Sequence, residues 1–374
     1  MVDTARLPFF YFAETCELPR QNMTCYPIDN DTPIYRLWDD THVATLNGYA
    51  SPILVILIVV TNAFVCIVLL QSNLRTPTNL LLVGMAISDT LTGIFPLPSY
   101  IYFYALGNYR DFVPHAWCYP NVTLSLNLPT VFHTASIWLT VALAAQRYVY
   151  VCHPDKARVF FTTTNTLKVM VGIYVAAFAS QLTRFIEHQY FAVTVESRLD
   201  LGLFIGCMRE PEPVPLGRHQ NLFFAVYWWF RVFFVHLIPC VVLVVLNSLL
   251  YHAMRGAQVR RRMLLRQNRK IESRRLAEKN LSTLMLVTVV GVFLLVEMPL
   301  AILLIATNVE NMLNLELMED NKKQVAAVSI NFLILLSYPL NFFIYCGMSR
   351  QFRDNFKKLF SCVRTTTNAE LINL

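Results

Sequence analysis

The sequence is poor in charge: Asp, Glu, Lys and Arg make up 15% of its 374 residues, against about 25% in soluble globular chains. That shortage excludes an ordinary soluble domain. Enzyme signatures are missing too, with no phosphate-binding glycine loop, no zinc-binding histidine pair and no nucleophile elbow. The opening residues, MVDTARLPFFYFAETCELPR, lack a basic stretch followed by an apolar core. This argues against a cleavable secretory signal and leaves targeting to the first membrane span. What the chain has in abundance is apolar sequence, 55% of it. Runs of roughly 20 apolar residues, each enough to cross a ~30 Å hydrocarbon layer, recur at 50–71, 80–104, 124–146, 168–186, 222–250, 281–306 and 325–347. Any one of them could be a buried core helix. Seven, joined by short polar segments, predict an all-α membrane protein, a seven-helix bundle at 49–348. It would be preceded by a segment 1–48 and followed by a short amphipathic eighth helix and tail at 349–374.

Lys and Arg collect on the inner side of membrane spans. Segments 1–48, 105–121, 188–221 and 308–324 hold nine of them, and 72–78, 147–168, 254–280 and 348–374 hold twenty. The expected orientation in the plasma membrane is therefore N-terminus outside and C-terminus in the cytosol. The net charge of +7 is then a property of the inner face, with no nucleic-acid partner implied. Sequons at Asn22 and Asn30 lie in the outer N-terminal segment, where glycosylation occurs. Nine cysteines are present, and an outer face permits disulfides. A bridge between Cys118, before the third span, and Cys207, in the longest outer segment, would pin that segment over the bundle mouth. Cys16 and Cys25 would close a second, small loop. Connectivity stays open at this level. On the inner side, SRQFRDNFKKLF reads as an amphipathic basic stretch lying on membrane lipid, followed by Cys362 as a candidate for palmitoylation.

Ionisable groups at membrane depth are costly and face the bundle interior. At ~1.5 Å per residue, Glu297 lies roughly nine residues, or ~14 Å, below the outer end of span six near Ala306. Arg231 on span five and His133 on span three fall at about the same depth. The expectation is a polar pocket in which Glu297 faces Arg231 or His133, widened by the bend at Pro299. Two readings stay open, a ligand-contacting group and a purely structural pair. Tyr100 and Tyr104 on span two, Tyr227 and Trp228 on span five, and Arg184 at the outer end of span four join the candidate ligand residues. Inward-facing aromatics there would stack on aromatic side chains of a ligand. The outer segments carry sixteen acids against nine bases, which would favour a basic or uncharged ligand. Deeper, Asn62, Asp89, Ser136 and Asn341 form a second polar layer. It is read as a cluster that exchanges partners between two states, with sodium as a candidate occupant. His133, Ser136, Thr140 and Arg147, spaced 3, 4 and 7 apart, make one inward stripe on span three.

Together these residues resemble a rhodopsin-like (class A) G-protein-coupled receptor, over all seven spans. The resemblance rests on Asn62, MAISD with Asp89, SIWLTVALAAQRY with Arg147 and Tyr148, Phe293 and Pro299, and NFFIY with Asn341 and Tyr345. The departures narrow it. Gln146 stands where an acid usually precedes the arginine, and Glu297 where span six usually has tryptophan. Phe342 stands where proline usually follows Asn341, and Cys118 lies four residues farther from Arg147 than is usual. CHP at 152–154, HTASIWL, FLLVEMPLA and LSYPLNFFIYC are similar to invertebrate sex peptide receptors, which are also receptors for myoinhibitory peptides (allatostatin B).

That resemblance implies an amidated, tryptophan-containing neuropeptide as ligand and a heterotrimeric, mainly inhibitory, G protein as partner. It implies no enzymatic activity and no cofactor beyond sodium. An outer agonist would move the inner end of span six outward, and Gln146, Arg147, Tyr148, Asn341 and Tyr345 would take part in the switch. With Gln146 uncharged, Glu278 is the only nearby acid left to hold Arg147, so a weak inactive-state clamp is expected. The basic segment 254–280 has no Gly or Pro after Gly256 and reads as helical extensions of spans five and six. An opsin is excluded because span seven has no lysine for a retinal Schiff base. An ion- or proton-coupled transporter would use Asp89 and Glu297 as carriers. It is disfavoured by the lack of an inverted repeat and by a stripe ending in an arginine. A non-signalling decoy receptor is the third reading, on Gln146 and Phe342.

Overall fold

The computed structural model describes residues 34–199, 202–211, 220–313, 315 and 317–359. Cys16, Cys25, Asn22, Asn30 and Cys362 lie outside them. Seven helices are long and apolar enough to cross a membrane: α1 Thr41–Leu69, α2 Pro77–Ala105, α3 His115–Cys152, α4 Thr163–Phe185, α5 Val226–Arg266, α6 Thr283–Glu310 and α7 Asp320–Met348. Helix is what apolar sequence must form in lipid, because no water is present to satisfy a free backbone amide. Three of their starts, those of α1, α2 and α4, are marked by capping residues. The Asp40 carboxylate accepts from the amides of His42 and Val43 at 2.8 and 3.1 Å. Thr76 and Thr162 cap α2 and α4 in the same way, as short polar oxygens at helix N-termini do.

Around the bundle, α1 packs on α2 and α7, α5 on α6, and α6 on α7, while α3 touches α2, α4, α5 and α6. The outward faces are apolar, as a lipid solvent demands. On α6, Leu295 is 75% exposed and Glu297, two residues on, 1%. Four π-helical turns interrupt the regular winding, at Leu46–Ala50, Tyr100–Ala105, Thr123–Asn127 and Val232–Leu237. At the first, Gly48 lets α1 approach α2 closely, since a Cβ there would stand 3.0 Å from the carbonyl carbon of Tyr104.

One end of the bundle is covered by a β-hairpin, β1 His188–Glu196 and β2 Leu203–Pro211. It departs from a purely helical reading and contains the only strand pair among the described residues. Cys207 in β2 is joined to Cys118 at the start of α3, the pairing expected from the sequence. Tyr35 donates its amide to the Cys207 carbonyl at 2.7 Å and accepts from the Val113 amide at 3.1 Å, so two further segments lie against the hairpin. At its tip the Ser197 hydroxyl donates to Asp111 at 2.6 Å.

At the opposite, basic end, α5 runs to Arg266 and α6 is continuous with a helix that begins at Lys270. They meet in a tight turn with Asn268 at φ 61°, so the segment is helical on both sides, as the missing Gly and Pro predicted. After Ser349, residues 350–359 are helical again. Phe352 and Phe356 of that stretch pack against Phe342.

Candidate functional site

Helices α3, α5, α6 and α7 converge on one carboxylate. Glu297 Oε1 lies 3.0 Å from His133 Nε2, and its Oε2 lies 3.5 Å from His236 Nδ1. The other ring nitrogen of His133 sits 3.0 Å from the Tyr338 hydroxyl. A carboxylate taken out of water alone would be prohibitively costly, and two imidazoles from neighbouring helices compensate it. Of the two partners expected for Glu297, His133 is present and Arg231 is not. His236, which holds the other oxygen, was not singled out in the sequence. The signal that could have found it was the cost of any ionisable residue in span five, which applies to His236 as much as to Arg231.

Arg231 sits higher. Its guanidinium lies over the Trp228 ring, 4.7 Å from the centroid, and 5.9 Å from that of Tyr227, a cation–π arrangement. Glu297 and Arg231 differ in depth. Helix α6 continues to Leu313, beyond Ala306, which sinks Glu297. On span five, Arg231 stands five residues, or ~7.5 Å, above His236, the group that meets Glu297. Arg184 donates to Thr130 Oγ1 at 3.1 Å and ties α4 to α3. The Tyr227 hydroxyl donates to the Ser180 carbonyl at 3.5 Å.

On α2 the aromatic run is largely occupied with itself. Tyr102 stacks on Trp117 at 4.6 Å and Tyr104 on Tyr109 at 5.6 Å, beneath the hairpin. Tyr100 is half-buried, with no ring partner among the described residues.

Beside this mouth lies a charged group that the sequence did not reveal. Glu187, at 9% exposure, lies within electrostatic reach of Arg184, Arg231 and Arg209, and burial holds its carboxyl above the usual range against their pull. His188 is pushed down to about 3 by burial and by Arg209 and Arg184. It therefore stays neutral at physiological pH and accepts from Arg209, whose Nη2 lies 3.0 and 3.2 Å from its ring nitrogens.

In the deeper layer Ser136 donates to Asp89 at 2.5 Å, as expected. Asn62 instead donates to Thr90 at 3.2 Å, and its buried Oδ1 has no partner. No hydrogen bond joins Asn341 to Asp89 among the described residues. Of the four stripe residues on α3, His133, Ser136 and Thr140 are buried, while Arg147 is half-buried and lines a cavity at the basic end.

At the basic end, Arg147, Tyr150 and Tyr345 line a cavity of about 490 Å³ with Asn73, Thr76 and Phe352. Gln146 is fully buried and neither amide atom has a hydrogen-bond partner. No carboxylate pairs with Arg147 among the described residues, and the Glu278 side chain lies outside them. Tyr148 is half-buried with its ring edge-on to His153.

A closed seven-helix bundle, a disulfide from the start of α3 to a covering hairpin, and an arginine-floored cavity at the far end define a receptor architecture. The family described as serpentine type 7TM GPCR chemoreceptor Srw matches residues 49–363. The chain is 39% identical over 349 residues to the sex peptide receptor of Drosophila melanogaster, covering 92% of this chain and 78% of that one. It is 35% identical over 321 residues to sex peptide receptor-related protein 2 of Caenorhabditis elegans, 84% of this chain and 71% of the other. An FMRFamide receptor of Drosophila melanogaster is 27% identical over 305 residues, 80% of this chain and 51% of that one. The chain belongs to the class A G-protein-coupled receptors, close to the sex peptide receptor. It is accordingly a multi-pass plasma-membrane receptor of the neuropeptide type and not an enzyme.

Proposed function

We propose that the chain responds to amidated, tryptophan-containing peptides of the myoinhibitory or sex peptide type and signals through an inhibitory heterotrimeric G protein. The N-terminus and hairpin end would face outside, and the Arg147 cavity the cytosol. The observation that carries the reading is the Glu297 carboxylate, held between His133 and His236 at the point where α3, α5 and α6 meet. A ligand that disturbs this contact alters the packing of α6, the helix whose far end borders the Arg147 cavity through Met285. The aromatic and arginine side chains Tyr227, Trp228, Arg184 and Arg231, with Tyr100 and Tyr104 on α2, would offer ring faces and cations to tryptophan side chains and carbonyls. Relatives named for sex peptide and for FMRFamide support a peptide ligand. Asp89 and Ser136, with the unpartnered Oδ1 of Asn62, are the groups that would hold a sodium ion; a hard cation favours such oxygen donors.

The test is a screen of amidated invertebrate neuropeptides against the full chain in cells, read as G-protein activation with and without blockade of the inhibitory class. The expected result is a response to peptides with tryptophans, lost when the carboxamide is replaced by a free acid and lost under the blockade. Activation by other peptides alone would contradict the ligand class. Ion flux without ligand would favour a transporter.

A further inference from the structure

The outer segments carry more acids than bases, yet three arginines gather at the outer ends of α4, α5 and β2 among the described residues. Arg184 at the end of α4 lies within electrostatic reach of Arg209 on β2, Arg231 on α5 and the Glu187 carboxylate. Arg209 is 3.0 Å from His188, next to Glu187, and Tyr227, beside Arg231, donates to the Ser180 carbonyl of α4. His188 adds no charge. Other outer acids in the described residues have their own partners: Asp40 caps α1, Asp111 accepts from Ser197, and Glu310 pairs with Lys323 at 2.9 Å. Two guanidinium groups keep donors unused. Arg231 Nε and Nη1 and Arg209 Nε are buried without a hydrogen-bond partner. Buried donors left unmet are costly, and the guanidinium fork matches a carboxylate in two parallel bonds. The frame that carries them is fixed before any ligand arrives. Cys207, two residues from Arg209, is tied to α3, and Arg231 is seated on Trp228.

We propose that Arg184, Arg209 and Arg231 form a carboxylate-binding subsite at the mouth of the bundle, which takes an acidic side chain of the peptide ligand beside the Trp228–Tyr227 face. It rests on the peptide-receptor reading above and departs from the expectation, drawn from the acidic outer segments, of a basic or uncharged ligand.

The test uses two probes that differ only in charge, acetyl-Asp-Trp-amide and acetyl-Asn-Trp-amide. Binding to the full chain in lipid nanodiscs is followed by saturation-transfer NMR. The aspartate probe is expected to bind at least about tenfold more tightly, the size of one charge-assisted hydrogen bond. The preference should vanish in Arg209→Gln, a hairpin variant outside the spans, and shrink in Arg231→Gln. Equal binding of the two probes, no binding of either, or a preference that survives both substitutions would overturn the proposal. So would inorganic phosphate displacing the aspartate probe at equal concentration, since that marks a general anion site. A receptor that keeps the aspartate preference yet answers no amidated peptide retains the subsite and loses the ligand-class reading.

Discussion

Glu297 on α6 and His236 on α5 stand 3.5 Å apart, and a π-helical turn puts them there. His236 lies in the turn Val232–Leu237, where the wider winding delays the helix face by part of a residue relative to regular α spacing. With His133 at 3.0 Å on the other oxygen, the carboxylate is bracketed by α3 and α5.

Replacing Glu297 by glutamine keeps the shape and removes the charge. Glu297→Gln is predicted to reach the cell surface normally and to lose about tenfold or more in peptide potency, as expected when a close buried charge pair is lost. Glu297→Ala leaves both imidazoles without their partner, and breaking a buried pair costs about 3–5 kcal/mol, so its surface level should fall. Dose–response curves at matched surface expression check both. Unchanged potency in the glutamine variant would leave Glu297 a structural role only.

Gln146 occupies a fully buried position beside Arg147 with both amide atoms unpartnered. Gln146→Glu supplies the missing counter-charge and is predicted to lower ligand-independent G-protein activity. Equal basal activity in the two forms, at equal surface expression, would show that no such clamp forms.

The disulfide between Cys118 and Cys207 spans 89 residues of sequence. Closing a loop of that size removes denatured-state entropy worth about 4–5 kcal/mol in the chain-entropy account. It also holds the hairpin, and with it Arg209, against the bundle. Cys207→Ser is predicted to lower surface expression and to abolish high-affinity peptide binding on the receptor that remains. Saturation binding on intact cells measures both.

His188 carries a pH signature. Its folded-state value of about 3 lies below the ordinary 6.5, so the unfolded chain takes up a proton as pH drops below about 6.5 and the folded chain does not. Folded stability should fall from pH 7 to pH 5 by this group's share, levelling only near pH 3. The raised carboxyl of Glu187 works the other way, since protonating it in the fold stabilises the fold as pH falls. Thermal unfolding of the purified receptor and of His188→Gln across that range isolates the histidine. The variant should lose less Tm on acidification, and superimposable profiles would contradict the assignment.

The seven spans were legible because lipid leaves the backbone a single option, and apolar length reports it directly. Their ends were less so. Span six reads as 281–306 by hydropathy, while the helix runs Lys270–Leu313, since backbone bonding continues where the apolar side chains stop. Partner identity inside the bundle depended on those ends and on helix rotation. Placing Arg231 level with Glu297 assumed regular winding and a span six ending near Ala306, and neither the longer helix nor the π-turn at Val232–Leu237 is written in hydropathy. The stripe on α3 survived because it lies below the π-turn Thr123–Asn127, within one regular helix. The arginine group at the mouth was hidden for another reason. Arg209 reaches it through the pairing of β1 and β2, a long-range fact no local pattern carries.

The most direct test of the account is nucleotide exchange on a purified inhibitory G protein by the full chain in nanodiscs, with and without an amidated tryptophan-containing peptide. Exchange that rises with peptide in the native chain, and needs a higher peptide concentration in Glu297→Gln, is the predicted result. A correctly folded chain that binds the peptide yet leaves exchange unchanged would contradict it.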